Sequence, residues 1–306
     1  MIQIDKLSKK YGRVIALNGI SFEVEKGSVF GFVGPNGAGK STTMSILATL
    51  LAPTSGKAYV GGFDVIKYPK KVKQLIGYMP DFFGVYDNLK TYEYLNFYAS
   101  SYGLSKEERK KIIPQLLELV NLKNIEDQYV DTLSRGMKQR LGLARSLVHN
   151  PEVLILDEPA SGLDPRARIE MREILKELSN MGKTIIISSH ILPELAELSD
   201  FIGVIEDGEM ITIGSVDDIY QRMKGQKFLK IRVKDRFEEL KTKLKEMSGI
   251  TSVKEDGQYI LAGFTGTDDQ QINLLKHLID FGFPIKTFGE AEGNLEEIFL
   301  EITKGA

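Results

Sequence analysis

The sequence predicts an α/β fold with crossover helices on a parallel sheet, followed by a small α+β domain. Three observations predict it. Apolar runs at Val29–Val33, Val153–Leu156 and Thr184–Ile187 have strand length, and Val29–Val33, Val153–Asp157 and Thr184–Ser189 read as strands buried on both faces. Helical patterns separate these runs, as parallel strands require. Around Gly225–Lys227 the pattern resets, and the order that follows is β-α-β-β-α-β, the ferredoxin-like arrangement.

Ile2–Leu7 and Ile20–Glu25 read as the opening strands, and Glu25-Lys26-Gly27 as a hairpin turn into Val29–Val33. A glycine-rich loop leads into a helix from Lys40 to about Leu51, with Pro53 and Gly56 marking the exit. Residues ~85–150 read as mostly helical. Thr91–Tyr102 is amphipathic and aromatic-rich, Ser105-Lys106-Glu107-Glu108 is a capping box, and Ser134 caps a third helix running to about His149. Asp164-Pro165 opens a helix that runs to Met181 and is closed by Gly182.

In the second domain Phe228–Val233 reads as a strand and Arg236–Met247 as a helix. Strands at Ile250–Lys254 and Tyr259–Phe264 are joined by the turn Asp256-Gly257. Asp268–Phe281 reads as a helix, Pro284–Phe288 as a strand and Asn294–Ile302 as a last helix. The expected domains are therefore 1–220 and 226–306. No internal repeat or low-complexity segment interrupts them.

The 306 residues suffice for one large and one small domain, and 42% hydrophobic residues suffice for their cores. Forty basic and 42 acidic side chains leave a net charge of -2, which argues against a nucleic-acid surface. With no cysteine, disulfides and thiolate metal sites are excluded, and a cytosolic location is permitted. The first ten residues lack the apolar core of a signal peptide. No apolar run approaches the ~18 residues of a membrane span.

Gly34-Pro35-Asn36-Gly37-Ala38-Gly39-Lys40-Ser41 matches G-x-x-x-x-G-K-[ST]. Its glycines let the backbone curl so that N–H groups point at phosphates. The helix starting at Lys40 adds its positive end. Lys40 can reach the β- and γ-phosphates, and the Ser41 hydroxyl can ligate Mg²⁺; Thr42 follows in the same contact set. The run Val153–Leu156 ends in Asp157-Glu158-Pro159, where open α/β sheets bind ligands. Asp157 is placed to hold Mg²⁺ and Glu158 to polarise an attacking water. Alone, this acidic end is equally a solvated turn; on one sheet with the phosphate loop it is a hydrolysis site.

Further segments choose among phosphate-loop enzymes. Leu133-Ser134-Arg135-Gly136-Met137-Lys138-Gln139-Arg140 resembles the LSGGQxQR signature of ATP-binding cassette (ABC) ATPases. Ser161-Gly162-Leu163-Asp164 resembles the family's D-loop, and Ser188-Ser189-His190 its switch histidine. Tyr11, in Lys10-Tyr11-Gly12, falls where the family places an aromatic that stacks on adenine. Taken singly, Ser134 also reads as a helix cap, His190 as a satisfied histidine, and Tyr11 as an ordinary core or surface aromatic. The resemblance covers about residues 1–220.

The resemblance implies a P-loop NTPase fold with a mixed sheet and a helical subdomain at about 85–150. It implies ATP and Mg²⁺ as cofactors and a head-to-tail dimer sandwiching two ATPs. Each ATP would lie between the phosphate loop of one chain and Ser134 and Gly136 of the other. His190 would contact the γ-phosphate and the attacking water. The implied partners are a second ATPase subunit and an integral membrane permease, with the chain peripheral on the cytoplasmic face of the cell membrane and no nucleic acid bound.

The pattern departs from the family at Arg135 for the first signature glycine, Met137 for the glutamine, and Asp81 for the glutamine expected after Tyr78-Met79-Pro80. Asp81 remains a candidate Mg²⁺ ligand beside Ser41 and Asp157. Gly77–Asp81 and Asn294–Leu300 look most like ABC exporter subunits that pair with a separate small-molecule or drug-efflux permease. The alternative is a soluble ABC ATPase acting on nucleic acid or ribosomes. Such proteins usually carry two cassettes or a coiled-coil insertion, and this chain has one cassette and no heptad run. A non-catalytic nucleotide-gated module would lack Lys40 or Glu158, and both are present.

Overall fold

In the computed structural model, residues 1–82, 84, 88–216, 218 and 227–290 are described. The chain divides into two compact units, Met1–Ser215 and Val216–Ala306.

The opening strands are longer than their apolar runs. β1 (Ile2–Tyr11) and β2 (Val14–Val24) pair antiparallel, with register shifts in β1 around Lys6, whose φ is 46°. β4 (Ser55–Val60) and β5 (Phe63–Asp64) complete a four-stranded antiparallel sheet, ordered β2-β1-β4-β5.

The expected hairpin at Glu25-Lys26-Gly27 does not form. β3 (Val29–Val33) lies in a different sheet from β2. It is buried at all five positions and takes parallel partners on both edges, β8 (Thr184–Ser189) and β9 (Phe201–Glu206), so no edge remains for β2. The Gly27 N–H instead donates to Thr184 Oγ1 at 2.9 Å.

The second sheet is ordered β10-β9-β3-β8-β7-β6, with β7 at Val153–Leu156, β6 at Ile76–Met79 and β10 at Glu209–Ser215. Every neighbouring pair is parallel except β10–β9, so the sheet is mixed. α1 (Lys40–Leu47) stops short of the expected Leu51 because Thr49 turns left-handed at φ 61°. Its Met44, Ile46 and Leu47 join both sheets in one core with Phe22, Phe30 and Phe32. Phe22 and Phe30 stack at 4.9 Å.

α2 (Pro69–Leu75) leads into β6. α3 (Thr91–Ser101), α4 (Lys106–Leu119) and α5 (Arg135–Leu147) supply the expected helical segment. Both bonds of the Ser105–Glu108 capping box form, and Ser134 caps α5 by accepting from the Met137 N–H. α6 (Pro165–Asn180) starts at Asp164, which accepts from the Ala167 N–H at 3.0 Å. It buries Ala167, Met171, Ile174, Leu175 and Leu178, one stripe of a 3.6-residue period. α7 (Leu192–Ala196) follows β8. The β9–β10 hairpin turns through Asp207 and Gly208, both at positive φ.

The second unit runs β11 (Lys227–Val233), α8 (Phe237–Lys245), β12 (Ile250–Asp256), β13 (Tyr259–Phe264), α9 (Asp268–Asp280) and β14 (Ile285–Glu290). Its sheet is antiparallel throughout, in the order β12-β13-β11-β14. Leu229, Ile231, Leu240, Leu244, Ile260 and Leu278 form a core of its own. The expected helix Asn294–Ile302 lies outside the described residues. Among the described residues no helix is long and apolar enough to cross a membrane.

Candidate nucleotide and hydrolysis site

The glycines between β3 and α1 are required by their surroundings. A Cβ on Gly34 would lie 2.3 Å from the Ile205 carbonyl oxygen. Gly39, at φ 111°, would bring a Cβ 2.7 Å from the Ala16 carbonyl oxygen. Gly37, at φ 88°, faces open space. Pro35, Asn36, Gly37 and Ser41 are exposed, Thr42 is half-buried, and Ala38, Gly39 and Lys40 are buried. The Lys40 ammonium curls back over the loop and donates to the carbonyls of Gly34 at 2.6 Å and Pro35 at 3.1 Å. Burial holds its pKa below the usual lysine value, and the charges of Glu158 and Asp157 oppose that shift.

The acidic residues stand at the carboxyl end of β7. The Asp157 N–H donates to the Met79 carbonyl at 2.8 Å, continuing the β7–β6 ladder. The Ser188 hydroxyl donates to Asp157 Oδ1 at 2.6 Å and accepts from the Glu158 N–H at 2.9 Å. One side chain at the end of β8 therefore orients both carboxylate residues. Glu158 sits at φ 49°, an uncommon conformation for a residue with a Cβ. Its carboxylate lies 3.7 Å from Lys40 Nζ through Oε1 and 2.9 Å from His190 Nδ1 through Oε2. Glu158 Oε1 is buried and has no hydrogen-bond partner. A carboxylate only accepts, so the bond to His190 requires the proton on Nδ1.

The structure thus brings together Lys40, Asp157, Glu158 and His190 beyond the carboxyl ends of three adjacent strands, β3, β7 and β8. Ser188 belongs with them and was not foreseen, because its place follows from the β7–β8 register. Other expected residues take other partners. Tyr11 is half-exposed, with Lys9 Nζ 5.1 Å from its ring centroid. Asp81 is exposed after β6, near enough for its charge to act on Lys40. Ser134 is an exposed cap, and Gly136 packs against Ala167, whose Cβ is 2.9 Å from where a Cβ on the glycine would fall. His149 has a structural setting but is bonded at one ring nitrogen only, its Nδ1 being buried without a hydrogen-bond partner. It stacks on Tyr102 at 3.8 Å, bonds the Ile76 carbonyl at 2.9 Å, and is held by burial below its ordinary pKa.

A phosphate loop, a buried lysine and a paired acid–histidine at the carboxyl ends of neighbouring parallel strands define a P-loop nucleotide hydrolase. Residues 17–161 match the ABC transporter family. A linearmycin resistance ATP-binding protein of Bacillus subtilis (strain 168) is 35% identical over 305 residues, spanning 99% of this chain and 98% of the relative. A bacitracin transport ATP-binding protein of Bacillus licheniformis is 34% identical over 308 residues, spanning 100% and 98%. Among solved structures, an ATP-binding subunit of an ABC transporter superposes with a TM-score of 0.66 at 29% identity, over 73% of this chain and 93% of its own. A dimeric ATP-binding cassette in a post-hydrolysis state, bound to ADP and phosphate, gives 0.65 at 25% identity, over 71% and 99%. The chain belongs to the ABC transporter family, as an ATP-binding and ATP-hydrolysing subunit.

Proposed function

We propose that this subunit energises export of a small molecule through a separate integral membrane permease, working as a head-to-tail homodimer on the cytoplasmic face of the membrane. The observation that supports it most is the convergence of Lys40, Glu158 and His190 within hydrogen-bond or ion-pair distance. In this reading residues Gly34 to Thr42 cradle the phosphates and Lys40 neutralises them. Glu158 takes a proton from the attacking water, and His190 holds Glu158 and faces the γ-phosphate. Tyr11 stacks on adenine, while Ser134 and Gly136 complete the partner's nucleotide site.

The donor chemistry fits Mg²⁺. Asp157 and Ser41 are hard oxygen donors, and Asp81 is a third candidate on the adjacent loop. Among the described residues no three acidic or histidine side chains form a metal cage. Mg²⁺ needs none, because one or two carboxylates and the substrate phosphates suffice. When bound it neutralises charge on the phosphate oxygens. If Asp81 contributes, Asp81→Gln changes the Mg²⁺ dependence of ATP binding; an unchanged dependence removes it from the set.

Residues 1–220 would be the ATPase domain, with a helical subdomain at about 85–150, and residues 226–306 an accessory domain. The separate core of each unit supports this. A chain truncated after residue 225 should keep its ATP affinity, and a fragment blind to ATP would reject the division. Linearmycin resistance and bacitracin transport are the activities the relatives are named for. By analogy, the cargo here is an antibiotic-like small molecule. Purifying the tagged chain from solubilised membranes should recover one integral membrane protein that stimulates its ATPase activity. Recovery of ribosomes or nucleic acid in its place would overturn the reading.

A further inference from the structure

Arg135 occupies the first position of α5, beside the capping Ser134. A cation there opposes the positive end of the helix. Among the described residues no carboxylate pairs with it. Its guanidinium lies against Gly162. A Cβ built on Gly162 would stand 2.3 Å from Arg135 Cζ, 2.4 Å from Nη2 and 2.5 Å from Nη1. Cζ is the nearest of the three, so the planar group presents its face to the glycine. Gly162 is also left-handed, at φ 65°. A Cβ here would strain the backbone and push the guanidinium aside, so glycine lets the two stay in contact.

Gly162 stands in a tight turn anchored to the acidic site. The Ser161 N–H donates to the Glu158 carbonyl at 3.0 Å, and the Leu163 N–H to that of Ala160 at 3.3 Å. Two further contacts hold α5 on the same stretch. Gly136 packs on Ala167, and Arg140 Nη1 lies 3.2 Å from Glu170 Oε2. The turn at 161–164 is thus clamped between α5 and the left-handed Glu158.

We propose that Arg135 is a positioning residue for hydrolysis. Its flat guanidinium fixes the turn at Gly162 and, through the Ser161–Glu158 bond, the backbone that aims the Glu158 carboxylate. The inference rests on the reading of Glu158 as the residue that activates water. It also explains why an arginine serves where the family pattern has glycine: movement of the α5 terminus is passed to Glu158 through a rigid plane.

The test is a double-mutant cycle in the full chain, read as kcat and KM for ATP. Arg135 and Gly162 are exposed, so the substitutions should fold, and unfolding midpoints check this. Gly162→Ala and Arg135→Gly should each lower kcat about tenfold with KM within about twofold. Combined, they should cost clearly less than the product of the two single losses, because the contact is already gone and only the strain of a left-handed alanine is added. Arg135→Lys, which keeps the charge and loses the plane, should behave like Arg135→Gly. Losses that multiply, a lysine variant with native kcat, or effects confined to KM would each overturn the proposal. If Glu158→Gln abolishes turnover while the cycle shows no coupling, only the role of Arg135 falls.

Discussion

Glu158→Gln keeps the shape of the side chain and removes its charge. The carboxylate stands 3.7 Å from Lys40 Nζ, with both side chains largely buried. At an effective dielectric constant of about 20, two unit charges at that separation attract by about 4 kcal/mol. Desolvation offsets most of this, and Lys40 keeps the Gly34 and Pro35 carbonyls. The net loss of stability should therefore be about 1–3 kcal/mol. The kinetic effect is larger. A general base contributes ~10²–10⁴-fold, or about 3–5 kcal/mol of barrier. ATP affinity should hold or improve, since a carboxylate near the phosphates repels them. Steady-state phosphate release should fall by that factor, and ATP-bound dimer should accumulate on size exclusion. Turnover within about tenfold of native, or ATP affinity lost along with turnover, would refute the assignment.

The phosphate-loop glycines should differ in cost. Gly34→Ala and Gly39→Ala collide with backbone and should abolish ATP binding, while Gly37→Ala should cost only the ~1–2 kcal/mol of its left-handed conformation; equal effects at all three in a binding assay would contradict the packing. Ser188→Ala strips Asp157 of a donor and the Glu158 N–H of its acceptor, so thermal unfolding should show a loss of ~1–3 kcal/mol together with reduced turnover; an unaltered melting curve would deny the link. His149 is a base that burial keeps unprotonated below its ordinary 6.5. The unfolded chain takes up a proton near pH 6.5 while the fold does so only lower, so stability is lost as pH falls below 6.5. His149→Gln should flatten urea midpoints between about pH 5 and 7, and parallel profiles would exclude the imidazole as the source.

The parts legible in the sequence are those where local chemistry suffices. Val153–Leu156 and Thr184–Ser189 read as strands because both faces are buried and their centres, Val153–Leu156 and Ile185–Ile187, are wholly apolar. The phosphate loop is readable because its backbone demands glycine at Gly34 and Gly39. The start of β2 was not readable, since Val14 and Ile15 are exposed and show no alternation. Glu25-Lys26-Gly27 misled because turn chemistry says nothing about which sheet the next strand joins. The two hydrogen bonds of Ser188 depend on the pairing of Leu156 with Ile187, a fact of register rather than of composition. Asp207-Gly208, between apolar runs, was a usable hairpin signal that the motif reading passed over.

The phosphate loop has its floor far away in the chain. Gly34 rests on the Ile205 carbonyl, the Gly208 N–H donates to the Ala38 carbonyl at 3.1 Å, and the Asn18 N–H donates to that of Gly208 at 2.8 Å. The turn of the β9–β10 hairpin is therefore the clasp that closes the loop. A chain leaving the ribosome has its glycines and lysine by residue 41 but waits for about 170 more residues, roughly 10–30 s of synthesis, before the clasp at Gly208 arrives. Throughout that interval the motif exists without a pocket. Because the loop in its folded form leans on residues 205–208, binding there stabilises the β9–β10 turn as well as the motif.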